Sequence, residues 1–168
     1  MEHPLLINKF ESESHMMKDF FKNKNSSDYI EFDTESPVKF YCIKLNKLGH
    51  NIYLKSDDSS DLEVLMEDIC LGILVDHYFI YVDTQTFNRQ IFDLKVSGTG
   101  LFYNRFNACF YCILQTGFFR YDIKDKTEIY KSVGDFIWEW EWVDKENYTV
   151  KYSFDSGEFH NFNFITMS

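Results

Sequence analysis

Between positions 136 and 143 the chain reads Phe-Ile-Trp-Glu-Trp-Glu-Trp-Val, which sets all three of its tryptophans on alternate positions with two carboxylates between them. A side-chain period of two belongs to an extended strand. Phe136, Trp138, Trp140 and Trp142 therefore make one stripe, and Glu139 and Glu141 share the other face with the apolar Ile137 and Val143. The stripe is either the spine of a core or an aromatic contact surface. On both readings it commits this segment to a sheet. Composition carries the argument to the rest of the chain, because 18 Phe and 11 Tyr are residue types that pack well on pleated surfaces. Two prolines and seven glycines leave few chain breakers, and 168 residues suffice to bury a core without disulfide or metal staples. One globular domain spanning 1–168 is expected.

One short N-terminal helix is predicted at about 12–22. Ser12 or Ser14 would cap it, Met16, Met17, Phe20 and Phe21 would form its apolar face, and Lys22 and Lys24 would sit at the favourable end of its dipole. A β meander is expected over about 29–165, starting with extended runs at 29–32, 38–45 and 51–55, the last two joined by a tight turn at Asn46-Lys47-Leu48-Gly49. Asp57, Asp58 and Asp61 mark a polar loop, with a short helical turn expected through Leu62, Leu65, Met66 and Ile69. Gly98-Thr99-Gly100 reads as a bulge or hinge before a strand.

From Cys70 onward a repeat emerges, since 74–83 aligns without gaps on 113–122. Each unit is an apolar strand, a tight turn, a second strand ending in Asp, a polar turn and a third strand at 89–94 or 127–130. A looser copy follows in 138–143, 148–154 and 159–165. The cadence at Asp83, Asp122 and Asp155 resembles that of β-propeller blades, over about 70–165. Three units do not close a ring of blades. The expected fold is therefore mainly β: a twisted antiparallel meander that is propeller-like, a sandwich or a half-open barrel, with one helix.

Motifs for catalysis are lacking. Cys109-Phe110-Tyr111-Cys112 has metal or redox spacing, but positions i and i+3 of a strand face opposite sides, and no second pair with zinc-like spacing exists. The histidines are scattered, and there is no nucleophile elbow, phosphate loop or compact Asp/Glu/His set. No enzyme, metal or cofactor is expected. Cys42, Cys70, Cys109 and Cys112 lie in or beside apolar runs, as reduced thiols do. The N-terminus lacks the basic and apolar regions of a secretory signal, and no apolar run reaches the length of a membrane span, so a cytoplasmic location is expected.

The remaining signal is charge. A formal net charge of −10 disfavours nucleic acid and anionic membrane as partners and favours a basic protein. Carboxylates gather at Asp57, Asp58 and Asp61, at Glu139, Glu141 and Asp144, and at Glu158, with Tyr148 and Tyr152 near the last two groups as candidate anchors. These nine residues are the candidate partner-binding site. In size, acidity, aromatic richness and lack of catalytic motif the chain resembles the small immunity proteins of bacterial toxin–immunity pairs, which implies a non-enzymatic inhibitor that occludes a basic, nuclease-type toxin. A small-ligand carrier with the tryptophans facing an aromatic pocket, and a β scaffold for docking, are the alternatives.

Overall fold

The computed structural model describes residues 5–31, 36–57, 62–67 and 69–167. They fall into two compact units, 1–59 and 60–168. In the first, strands β1 (Leu5–Phe10), β2 (Ser27–Tyr29), β3 (Lys39–Leu45) and β4 (His50–Ser56) form a sheet in the order β1-β3-β4-β2, with β2 parallel to β4 and the other pairs antiparallel. Helix α1 (Glu13–Lys22) follows β1 and starts as expected, with Ser12 Oγ accepting from the His15 N–H at 3.3 Å. Its apolar face, Met16, Met17 and Phe20, packs with Phe10, Tyr29, Phe40, Cys42 and Tyr53. Tyr53 donates its hydroxyl proton to Asp19 at 2.7 Å, tying the helix to β4. Gly49 takes the left-handed conformation (φ 60°) that closes the turn expected at 46–49.

The second unit holds three antiparallel sheets in chain order. The first contains β5 (Glu63–Glu67), β6 (Cys70–Val75), β7 (Tyr78–Asp83) and β8 (Arg89–Asp93); the second contains β9 (Gly98–Asn104), β10 (Cys109–Leu114), β11 (Gly117–Asp122) and β12 (Thr127–Ser132). The third has β13 (Glu139–Asp144), β14 (Thr149–Ser153) and β15 (Phe159–Asn163). Each is a simple meander, and none of the described sheets closes into a barrel. Residues 63–67 are a strand where a helical turn was expected. Their apolar residues pair with the buried strand β6, and that ladder overrides the helical spacing of Leu62, Leu65 and Met66. The bulge expected at Gly98-Thr99-Gly100 is present, because Ile113 pairs with Gly100 and the next residue, Leu114, with Gly98.

The repeat has a physical basis in one recurring turn. Asp83 accepts from the N–H groups of Gln85 and Thr86, Asn104 from Phe106 and Asn107, Asp122 from Lys124 and Asp125, and Asp144 from Glu146 and Asn147. Four residues after each of these, Phe87, Ala108, Lys126 and Tyr148 adopt positive φ. The side chain thus supplies the acceptor that a tight turn needs, and the left-handed residue returns the chain to the sheet. In the third sheet the counterpart of Asp83 and Asp122 is Asn163, which accepts from Ile165 and Thr166. Asp155 instead lies in the loop between β14 and β15, so the third aspartate of the sequence cadence is out of step by one strand.

Packing is in layers. One face of β10 (Phe110, Cys112, Leu114) joins Leu74, Phe79 and Phe119 in a first core, and the other (Cys109, Tyr111, Ile113) joins Phe118, Val150, Tyr152 and Phe164 in a second. Cys109 and Cys112 thus face different cores, as their spacing on a strand requires. Gly100 lets the third sheet approach, since a Cβ there would lie 2.7 Å from the Trp140 ring. Gly100→Ala is expected to cost about 1–3 kcal/mol through overpacking, read as a lower urea midpoint with an unchanged slope.

Candidate functional site

The tryptophan stripe splits in the folded chain. The Ile137 N–H donates to the Gln115 carbonyl of the second sheet at 2.6 Å, and the Trp138 N–H to Ser153 at 2.9 Å. The backbone therefore bends between the two sheets before β13 begins. Ile137 is buried, Trp138 and Glu139 are both turned outward, and regular alternation resumes only afterwards. Trp140 and Trp142 pack inward on the second core, Trp140 over Gly100 and Trp142 edge-on to Phe102 at 4.8 Å. Trp138 is 68% exposed and Phe136 43%.

The outward face of β13–β15 carries the charge. Register sets Glu139, Ser153 and Phe159 in one row across the three strands, and Glu141, Lys151 and Asn161 in the next. Lys151 Nζ lies 3.9 Å from Glu141 Oε1 and 3.9 Å from the centre of the Phe159 ring, so a single ammonium serves a carboxylate and an aromatic face. Ser153 donates to Glu139 Oε1 at 3.4 Å, and no cation among the described residues lies within ion-pair distance of Glu139. Glu139, Trp140, Glu141, Lys151 and Phe159 line a shallow depression of about 160 Å³. Phe159 is 52% exposed. The result is an acidic face with accessible rings at its margins.

The other candidates are placed differently. Tyr152 lies opposite Trp140, so it shares the inward face, is only 8% exposed and meets Phe118 edge-on at 5.3 Å. It is a core residue and not an anchor. Tyr148 is half-buried and aims its hydroxyl at the Tyr103 carbonyl, 3.4 Å away. Asp144 spends its acceptors on the turn, including a 2.7 Å bond from the Asn147 side chain. Glu158 is exposed, with His160 Nε2 at 3.9 Å. Asp57 belongs to the other unit and follows β4, while Asp58 and Asp61 lie outside the described residues. The residues that charge counting passed over are Trp138, displaced outward by a bend that periodicity does not show, and Lys151, which needed the β13–β14 register to be seen.

Elsewhere in this unit, Arg120 donates to Asp122 at 3.2 Å and to the Met167 carbonyl at 3.1 Å, and the Cys109 thiol donates to the same carboxylate. Burial pushes the thiols of Cys109 and Cys112 up, so both stay protonated at neutral pH. A cleft of about 470 Å³ is lined by Ile91, Phe92, Leu94, Val96, Phe119 and Tyr130, with Asp93, Lys95 and Glu128 also on its walls. It contains aromatic rings but none of the tryptophans. No group of side chains able to hold a metal ion occurs among the described residues, and none of their helices is long and apolar enough to cross a membrane.

No protein-family model and no curated protein matches the chain. Among solved structures it is similar to the extracellular domain of the putative one component system BT4673 from B. thetaiotaomicron, at 13% identity and a TM-score of 0.50. The alignment covers 83% of this chain and 22% of that one. A second structure, described as the extracellular domain of the putative hybrid two component system BT4673, gives 13% identity, the same coverage and a TM-score of 0.49. The first likeness is one of fold. The chain spans about a fifth of the length of the structures it matches.

Two measurements check this geometry. Iodide is expected to quench one tryptophan out of three, and Trp138→Phe to remove the quenchable fraction while leaving blue-shifted emission from Trp140 and Trp142. The second concerns the turn aspartates. The Thr86 N–H is the main cause of the lowered Asp83 carboxyl, and for Asp144 it is the Asn147 side chain. Burial works against Asp122, but bonds from the Asp125 N–H, Cys109, Arg120 and the Lys124 N–H together hold it below the ordinary value near 3.8. Folded values below unfolded ones give stability that is complete above the unfolded value and lost as pH falls through the folded one. Urea midpoints are expected to drop below about pH 4. Asp83→Asn, which copies the turn already made by Asn104 and Asn163, is expected to flatten that limb with little change at pH 7.

Proposed function

We propose that the outward face of β13–β15 docks a basic protein, and that the chain is an acidic inhibitor of the immunity type that covers the cationic surface of a nuclease-like toxin in the cytoplasm. One observation carries this reading: the exposed carboxylates Glu139 and Glu141 lie on a sheet face margined by the solvent-exposed rings of Trp138 and Phe159. Charge alone steers encounter, and rings alone stick to many partners. Together they give a fast approach and a desolvated contact. Glu139 and Glu141 would pair with Lys or Arg of the partner, Trp138 and Phe159 would supply apolar area, and Glu158 would extend the acidic rim. The net charge of −10 makes the approach rate salt-sensitive. Four buried free cysteines support a reducing compartment.

A small-ligand carrier is the second reading, and the cleft beside Phe92 and Phe119 favours it. Its volume of about 470 Å³ is that of a site for a small organic molecule. Native mass spectrometry of freshly purified protein separates the two, because a carrier retains a ligand mass and an inhibitor does not.

The test of the docking face is surface plasmon resonance against the product of the neighbouring gene, at low and high salt. Changing Glu139 and Glu141 together to Gln is expected to weaken binding at least about tenfold, roughly 1.4 kcal/mol, and to reduce the salt dependence of the association rate. Unchanged rate and affinity would remove these glutamates from the contact.

A further inference from the structure

The first and second sheets are tied at one edge, where the Leu101 N–H of β9 donates to Glu63 Oε2 of β5 at 2.8 Å. Twisted sheets held together at one edge part at the other. There β8 and β12, the last strands of the two meanders, face each other across the cleft of about 470 Å³. Its floor is the rim of the first core: Leu94 and Phe119 are buried, and the Phe92 ring lies 5.6 Å from that of Phe119. Val96 and the exposed Tyr130 extend the apolar wall, Tyr130 standing directly across the ladder from Phe119. All of this lining comes from residues 91–130, so the make-up of the cleft does not hinge on the ends of the chain.

Charge on the walls is uneven. Asp93 and Lys95 cancel, because Lys95 donates to the Asp93 carboxylate from its backbone N–H at 3.0 Å and again from its ammonium. Glu128 has no such partner. It stands across the ladder from Tyr121, on the face of β12 that Tyr130 shares, and no cation among the described residues lies within ion-pair distance of it. Its field reaches the rings of the floor, since the Tyr121 hydroxyl is pushed up by burial first and by Glu128 next. The cleft thus joins an aromatic and aliphatic floor to one carboxylate that nothing balances.

We infer that this cleft binds an organic cation, an ammonium group carried on an aromatic or branched apolar body, with the body against Phe92, Leu94 and Phe119 and the ammonium between Glu128 and the Tyr130 ring. This assignment rests on the carrier reading and gives that reading its class of ligand; the docking face plays no part in it. The same chemistry already occurs within the molecule, where the Lys151 ammonium lies 3.9 Å from Glu141 and 3.9 Å from the centre of the Phe159 ring. A cation so placed is attracted by the carboxylate and by the ring face together. An anionic amphiphile would lie beside Glu128 and would have to draw Lys95 away from Asp93. A neutral one would fill the cleft but take water from Glu128 without replacing it. The net charge of −10 also raises the concentration of cations at the mouth of the cleft.

Three probes of similar size and different charge test the site: 2-phenylethylammonium, 2-phenylethanol and phenylacetate. NMR titration of the full chain at low salt is expected to give saturable shifts at the Ile91, Leu94 and Val96 methyls with the ammonium, an affinity at least about threefold lower for the alcohol, and a lower one again for the carboxylate. Glu128→Gln is expected to abolish the preference for the ammonium over the alcohol while the alcohol binds as before. Glu146→Gln, which removes the same charge from an exposed turn outside the cleft, is expected to keep that preference. The pair separates a site from the general attraction of an acidic protein for cations, and both side chains are exposed, so both variants retain the fold. Equal affinity for all three probes at these methyls would overturn the cationic class and leave a carrier of another kind. A preference that survives Glu128→Gln would overturn the role of that carboxylate, and no saturable shift with any probe would overturn the site and the carrier reading with it.

Discussion

Burial of β10 on both faces is the constraint on which the second unit depends. All six of its residues, Cys109 to Leu114, are buried, and alternate side chains enter two separate cores. A strand of that kind needs a sheet on each side, which is why the first and third sheets sandwich the second. Burying a Phe or Leu contributes about 1.5–3 kcal/mol, so two cores with β10 in common hold the three sheets more firmly than any polar contact between them. The placement of the proposed docking face follows from the same constraint. The third sheet spends its inward face on the second core, so Glu139, Glu141 and Phe159 remain on the other.

The recurring Asx turn complements that packing. A hairpin register that slips by one residue would send each core side chain of its strand to the wrong face. Here four turns use the same acceptor at the end of a strand and a left-handed residue four positions on, in a chain with few glycines. Either Asp or Asn satisfies the geometry. Asp adds a carboxylate held in its charged form by backbone N–H groups, which contributes stability at neutral pH and withdraws it in acid. Part of the acidity of this protein is therefore structural: Asp83, Asp122 and Asp144 are turn residues first, and counting them as contact residues overstates the charge available to a partner.

Much of the fold was legible because strand period and turn chemistry are local. The helix cap at Ser12, the Gly49 turn, the bulge at Gly98-Thr99-Gly100 and the opposed faces of Cys109 and Cys112 all follow from residues within a few positions of each other. What escaped notice was non-local. Strand β1 has little periodicity of its own and is a strand because it pairs with β3. The segment 63–67 has helical spacing but pairs with β6. The third repeat unit was aligned on Asp155 because an aspartate stands there, whereas the pairing that identifies Asn163 is a property of the sheet. The candidate site shows the same division. Glu139 and Glu141 were found by alternation, while Tyr152 was misjudged because its facing depends on the β13–β14 register.

Trp138 is the residue on which the two levels disagree, and the disagreement is informative. By period alone it belongs with Trp140 and Trp142. In the fold it is turned out, because the amide of Ile137 is drawn to Gln115 and the chain spends one residue crossing between sheets. An exposed ring of that size forgoes burial worth about as much as a buried Phe or Leu. Its position next to Glu139, which lines the depression on this face, makes that forgone burial recoverable on contact with another molecule. The three tryptophans therefore do not act as one stripe. Trp140 and Trp142 hold the core shut, and Trp138 is left where a partner can cover it.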